Sequence, residues 1–294
     1  MGTTKPPSDL KPLRGIRILS LALNLPGPAA LMRLHAMGAT CTKLEPPAGD
    51  PMRQYNPAVH AALHAGVKLV SADLRDAAGQ AVIARLLKRT DVLLTSFRPS
   101  GLARLGLDWK TLHAAWPGLS QVAIVGSRGA RAEEPGHDLT YMAEMGLVDG
   151  MELPPSLFAD MGGSLMASEA VLKAVLLKQR SGRGAYVEVA LAGAAQYLGL
   201  PRTWGMTARG QLLGGAHAGY RIYPCKDGRV SVAALEPHFA AALCRAAGVS
   251  ASGRNTMMAP GTHAAVASFF LERSCGELTA LGAAEDIPLF ALPA

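Results

Sequence analysis

Short apolar runs alternate with helix-length segments through the first two-thirds of the chain. No other feature narrows the available folds as much. Residues 14–20, RGIRILS, predict a short buried strand. The turn LNLPGP follows, with Gly27 between two prolines. Residues 29–37, AALMRLHAM, predict a helix that Gly38 stops. TCTKLEPP then predicts a second strand ending at Pro46, which completes a strand–helix–strand unit. The pattern recurs in the strand VKLVSADL, the helix AAGQAVIARLLKRT and the strands DVLLTSF and LSQVAIVG. Such alternation predicts an α/β fold: a doubly wound, mainly parallel, Rossmann-like sheet in a large domain.

A long helix is predicted from Gly163 to Gln179, ended by Ser181-Gly182-Arg183-Gly184. YVEVALAGAAQYLGL reads as a strand entering a helix. After residue 200 the character changes. GGAHAGYRIYPCKDGRVSVAALEP predicts an antiparallel hairpin, turned at Lys226-Asp227-Gly228. The helical segments FAAALCRAAG and HAAVASFFLERS follow. These features predict a large domain over 1–199 and a smaller α+β domain over 200–294.

With 294 residues, 49% of them apolar, the chain can bury a sizeable core. No run of about 18 uncharged apolar residues is present, so no membrane-spanning helix is expected. The polar, proline-rich start MGTTKPPSDL lacks the apolar core of a signal peptide, and a cytoplasmic location is expected. Cys41, Cys225, Cys244 and Cys275 are widely spaced and are expected to be reduced and buried; no metal site is expected. The net charge of +7 comes without dense basic runs, and only 5% of residues are aromatic. That pattern disfavours nucleic acid and suits scattered surface charge plus one small anion site.

The first strand–helix–strand unit invites a dinucleotide reading, with Gly27 in the turn and Glu45 at the end of the second strand. The fingerprint G-x-G-x-x-G is absent, however, which disfavours a nicotinamide cofactor. Three polar segments stand out instead. In GHDLTY, His137 and Asp138 follow an irregular stretch; a lone histidine is more often structural than reactive. In LFADMGGS, Asp160 precedes two glycines and the long helix. An aspartate there suits a helix N-cap, but the same position suits a reactive carboxylate, with the glycines opening the following amides to a ligand. In AALEPH, Glu236 ends an apolar strand before a proline and is either a solvated loop charge or part of a site.

Taken in order, PLRGIRILSLA, PGP, KLEPP, SADLRDAAGQ, SFRPSGLARLGLD, GHDLTY, ADMGGS, RSGRGAYVEVAL and KDGRVSVAALEPHF resemble the family III CoA-transferases, over roughly residues 12–290. Histidine in GHD, aspartate in ADxGG and glutamate in LEPxF resemble the alpha-methylacyl-CoA racemase branch. The resemblance implies His137 and Asp160 as a proton-transfer pair at the carbon next to a thioester carbonyl. It implies Glu236 as the partner of the His137 imidazole, and backbone N–H groups of the helix after Asp160 as donors to the enolate oxygen. Arg98, Lys43 and Lys68 match the family's basic contacts to CoA.

The implied substrate is an acyl-CoA, with no cofactor beyond its CoA moiety and no nucleic-acid or membrane partner. The implied assembly is a homodimer of the interlocked type. Two other readings stay open: a CoA-transferase in which Asp160 is the nucleophile of an aspartyl intermediate, and an inactive CoA-binding homologue. The segment before GHD departs from the family's glycine-rich, aromatic loop. The family's C-terminal return segment is expected to be missing after DIPLFALPA.

Overall fold

Val92–Thr95 and Ser120–Val125 are buried at every position, as strands covered on both faces must be. They lie inside a six-stranded parallel sheet. The computed structural model describes residues 10–250 and 253–294, so the polar start over residues 1–9 lies outside the described residues. The strands are β1 (Arg17–Ser20), β2 (Thr40–Glu45), β3 (Lys68–Ser71), β4 (Val92–Thr95), β5 (Ser120–Val125) and β6 (Tyr186–Ala190), in the order β3-β2-β1-β4-β5-β6. Every neighbouring pair is parallel; Ile18 lies beside Cys41 on one side and Val92 on the other.

The helices of this part are α1 (Pro26–Ala36), α2 (Met52–Tyr55), α3 (Pro57–Leu63), α4 (Ala77–Leu87), α5 (Pro99–Arg104), α6 (Trp109–Ala115), α7 (Asp138–Glu144), α8 (Phe158–Ser181) and α9 (Leu191–Leu198). Side chains alternate across the sheet with period two. Ile18, Leu94, Val122 and Ile124 pack with Leu31, Leu34 and Val171 from α1 and α8. Leu19, Leu44 and Leu93 pack on the other face with Ile83, Leu102 and Leu112 from α4, α5 and α6. This is the predicted doubly wound α/β fold.

Two helices of this part start earlier than predicted. In α1, Pro26 occupies the first position, where its fixed φ suits the helix and its missing N–H costs nothing. A Cβ on Gly27 would collide with Ala22, so this glycine brings α1 close against the end of β1. Helix α8 begins at Phe158, not Gly163, and runs 24 residues to a left-handed Gly182.

The chain divides into two compact units between Gly199 and Leu200. The second holds α10 (Leu200–Thr203), α11 (Pro237–Ala246), α12 (Arg254–Met257), α13 (Pro260–Leu271) and α14 (Cys275–Ala284). Its antiparallel sheet is β7 (Tyr220–Cys225), β8 (Gly228–Ala233) and β9 (Leu289–Pro293), in that order. The predicted hairpin is β7–β8. The third strand, which follows Pro288 and ends at Pro293, was not foreseen. Val230, Val232, Leu243, Phe270 and Leu278 form the core beneath the sheet.

All four cysteines are buried and free. No helix among the described residues is long and apolar enough to cross a membrane.

Candidate active site

In a doubly wound sheet, the strand order reverses between two neighbours, here β1 and β4, and loops at their carboxyl ends diverge to leave a crevice. A cavity of about 300 Å³ lies there. Leu23, Asn24 and Pro26 after β1, Ser96 to Arg98 after β4 and Gly126 after β5 line it, as do His137, Tyr141 and Asp160. The loops are stitched together. The Leu23 N–H donates to Ser96 Oγ (3.1 Å) and the Asn24 N–H to Asp50 Oδ1 (3.1 Å). A Cβ on Gly126 or Gly136 would strike the Tyr141 hydroxyl, so these glycines make the slot that the phenol fills.

Asp160 sits in the first turn of α8; Leu157, not Asp160, is the N-cap residue. The Asp160 N–H donates to Oδ1 of Asp138 (2.9 Å), the buried first residue of α7. Burial, then repulsion from Asp138, push the Asp160 carboxyl up to about 6, with His137 pulling the other way. His137 caps α7 and is exposed. Its N–H donates to Thr140 Oγ1 (3.0 Å), and that hydroxyl donates back to the His137 carbonyl (2.7 Å). The turn GHDLT thus fixes the histidine's backbone and delivers Asp138 to Asp160. Asp138, singled out beside His137 in the sequence, was given no role there, and Asn24 was passed over.

Two expectations about this turn are corrected. Met161, the residue after Asp160, donates its N–H to the Leu157 carbonyl inside the helix (2.9 Å), so it is not a free donor for an oxyanion. Gly162 and Gly163 do not open the helix to a ligand. Both are buried, and a Cβ on either would press on α9, at Leu198 and Leu191 respectively. They let two helices approach closely.

Of the basic residues, Arg98 is exposed and lines the cleft at the start of α5. Lys43 does not meet solvent, which corrects its assignment to a phosphate. Its ammonium is fully buried, ion-paired with Asp50 and 3.5 Å from Glu45 Oε1, and it meets His64 Nε2 at 3.0 Å. Burial would raise the Asp50 carboxyl, but hydrogen bonds from Lys43 and from the Met52 and Asn24 N–H groups hold it below its ordinary range. Burial and the Lys43 charge push His64 down, leaving a neutral ring that accepts from the ammonium. Lys68 is exposed at the first position of β3, in a hollow with Lys11, His35 and Gly38, and does not line the cleft. Glu236 belongs to the second unit, exposed at the N-cap of α11 with no cap hydrogen bond.

Two clusters among the described residues bring three metal-type ligands together. In Glu45, His60 and His64, His60 Nε2 bonds Glu45 Oε1 (3.0 Å) and Lys43 already occupies the centre as a cation. In Cys225, Asp227 and Cys275, the two sulfurs lie 3.5 Å apart and Asp227 accepts the Cys275 N–H (2.7 Å).

The sequence model of CoA-transferase family III matches residues 13–291. Succinate–glutarate CoA-transferase of Agrobacterium fabrum is 29% identical over 277 residues, which cover 84% of this chain and 69% of that protein. Succinyl-CoA–D-citramalate CoA-transferase of Chloroflexus aurantiacus is 33% identical over 65% of this chain and 51% of its own. Alpha-methylacyl-CoA racemase of Mus musculus is 31% identical over 81% of this chain and 65% of its own. The chain thus spans between about half and about two-thirds of these relatives. Among solved structures, the orthorhombic form of Rv3272 from Mycobacterium tuberculosis superposes with a TM-score of 0.83 at 26% identity, over 97% of this chain and 83% of that one. A CAIB/BAIF family protein from Brucella suis shares the fold, with a TM-score of 0.82 at 23% identity. With the family model matched along nearly all of its length, the chain belongs to CoA-transferase family III.

Proposed function

We propose that the protein acts on acyl-CoA thioesters, and that it moves the proton on carbon 2 of a 2-methylacyl group. Asp160 and His137 act as the two proton-transfer groups. One takes the proton to leave an enolate, and the other returns a proton to the opposite face, so each is base for one enantiomer and acid for the other. Arg98, beside them, offers a guanidinium to phosphate oxygens of the CoA moiety.

The observation that carries this reading is the Asp160 carboxyl, pushed up to about 6 in a cleft shared with an imidazole. A group with that pKa is charged at neutral pH yet basic enough to take a proton, which suits acid–base work. CoA transfer is the second reading, favoured by the CoA-transferases among the relatives. Asp160 then attacks the thioester carbonyl and expels the CoA thiolate, giving an aspartyl anhydride; the thiolate returns to the Asp160 carbonyl, releases the acid and leaves an aspartyl-CoA thioester. No cofactor beyond the CoA moiety is invoked in either case.

The test is incubation with a 2-methylacyl-CoA in deuterated water, in parallel with hydroxylamine trapping. Expected are deuterium at carbon 2, a loss of about 100- to 10,000-fold in His137→Ala, and no hydroxamate at Asp160. A hydroxamate, together with CoA exchange into a second carboxylic acid, would replace proton transfer by CoA transfer.

A further inference from the structure

Either chemistry builds negative charge on the thioester oxygen, and that charge needs a donor. Helix N-termini are the usual source of free N–H groups, but three of those reaching this cleft have part of theirs removed or engaged. In α1, Pro26 and Pro28 have no N–H to give. In α5, Pro99 has none and the Ser100 N–H donates to Glu133 Oε1 (2.7 Å). In α8, the Asp160 N–H is held by Asp138.

Asn24 stands between β1 and α1 with φ +64°, one of two non-glycine residues with positive φ among the described residues. Asparagine tolerates that conformation better than most residues, but it persists only where the surroundings enforce it. Here they do. The Asn24 N–H is bonded to Asp50, which the buried Lys43 neutralises. The Tyr55 hydroxyl donates to Asn24 Oδ1 (3.1 Å). That bond uses the carbonyl end of the carboxamide, and Nδ2 has no protein acceptor among the described residues although the residue lines the cleft. Tyr55 is largely exposed; partial desolvation, then the charges of Asp50 and Asp160, raise its hydroxyl, so the Asn24–Tyr55 pair lies within the field of the Asp160 carboxylate.

We propose that Asn24 is a catalytic residue whose Nδ2 hydrogens bind the substrate's thioester oxygen as charge develops on it, with Tyr55 as the residue that positions its carboxamide. The assignment rests on the acyl-CoA reading but not on the choice between proton transfer and CoA transfer.

Asn24→Gly keeps the left-handed backbone and removes the carboxamide. Asn24→Asp keeps the shape and replaces donors by an acceptor. Both are expected to lose about 100- to 1,000-fold in kcat, read as deuterium uptake at carbon 2 of isobutyryl-CoA or as CoA exchange from it, while melting temperature holds and KM rises by far less than kcat falls. Tyr55→Phe should lower kcat less and leave KM in place. Binding gives a readout that needs no turnover. Wild-type protein should prefer isobutyryl-CoA to its thioether, S-isobutyl-CoA, which lacks the carbonyl oxygen. Either Asn24 variant should bind the two alike. A preference that survives in a folded Asn24 variant overturns the role of Asn24 alone. Wild-type protein that binds neither compound overturns the acyl-CoA reading and this assignment with it.

Discussion

Asp160 holds its proton more tightly folded than unfolded, because burial and Asp138 disfavour the charge. Between about pH 4 and pH 6 the folded state therefore binds more protons than the unfolded chain, and stability falls as pH rises through that window. Above it the full cost is present. Asp160→Asn, which removes the charge at constant shape, should stabilise the protein by about 1–3 kcal/mol near pH 8 and by nothing near pH 4, while abolishing turnover. Denaturant titrations at both pH values check this; an equal gain at the two would show that charge is not the cause. His137, Asp160 and Arg98 stood out as candidates because short motifs carry them, and the structure brings all three to one cleft. Lys43 misled because a lysine is seldom fully buried. Its burial depends on Asp50 and His64, which meet it only after β2 and α3 are in place. Asn24 was silent for the opposite reason. An asparagine before Pro-Gly-Pro reads as an ordinary turn, and neither its positive φ nor its bond to Tyr55 is encoded nearby.

At the level of elements, the strands of the first unit were read from continuous apolar runs, which only a sheet covered on both faces requires. Helix starts were harder to place. The start of α8 was put at Gly163 because glycines punctuate sequences, yet Gly162 and Gly163 lie inside the helix and serve its contact with α9. The short helices α2, α3, α5 and α6 carry too few residues for a periodic signal. The loop between β2 and α2 is held by the Lys43–Asp50 pair, and breaking one side of a buried ion pair leaves an uncompensated charge. Lys43→Met should therefore destabilise the protein by roughly 3–5 kcal/mol, read as a lower denaturation midpoint. A variant as stable as wild type would mean that the pair contributes nothing net.

On the scale of the whole molecule, the doubly wound architecture followed from alternation alone, whereas β9 did not, since its pairing with β8 bridges some sixty residues that give no local hint. The outer side of α8 exposes Leu165, Leu176 and Leu177, and Phe158 and Met161 are exposed at its start. A 24-residue helix with this much uncovered apolar surface suits packing against a second copy of the chain. We expect a homodimer in solution at micromolar concentration. Sedimentation velocity that finds only monomer would remove that expectation, as would charged substitutions at Leu176 and Leu177 that leave the sedimentation coefficient unchanged.

Time enters through the order of the strands. Every strand of the parallel sheet comes from residues 17 to 190, and the cleft at its carboxyl ends is lined by residues no later than Leu191. A ribosome that has delivered those residues has delivered all the material of the sheet and of the Asp160 cleft. The antiparallel sheet differs. Its β7–β8 hairpin emerges as a two-stranded ribbon and waits for Leu289–Pro293, with β8 left as an open edge in the meantime. During synthesis the vulnerable part of this protein is thus the late, small sheet, while Asp160 is already housed.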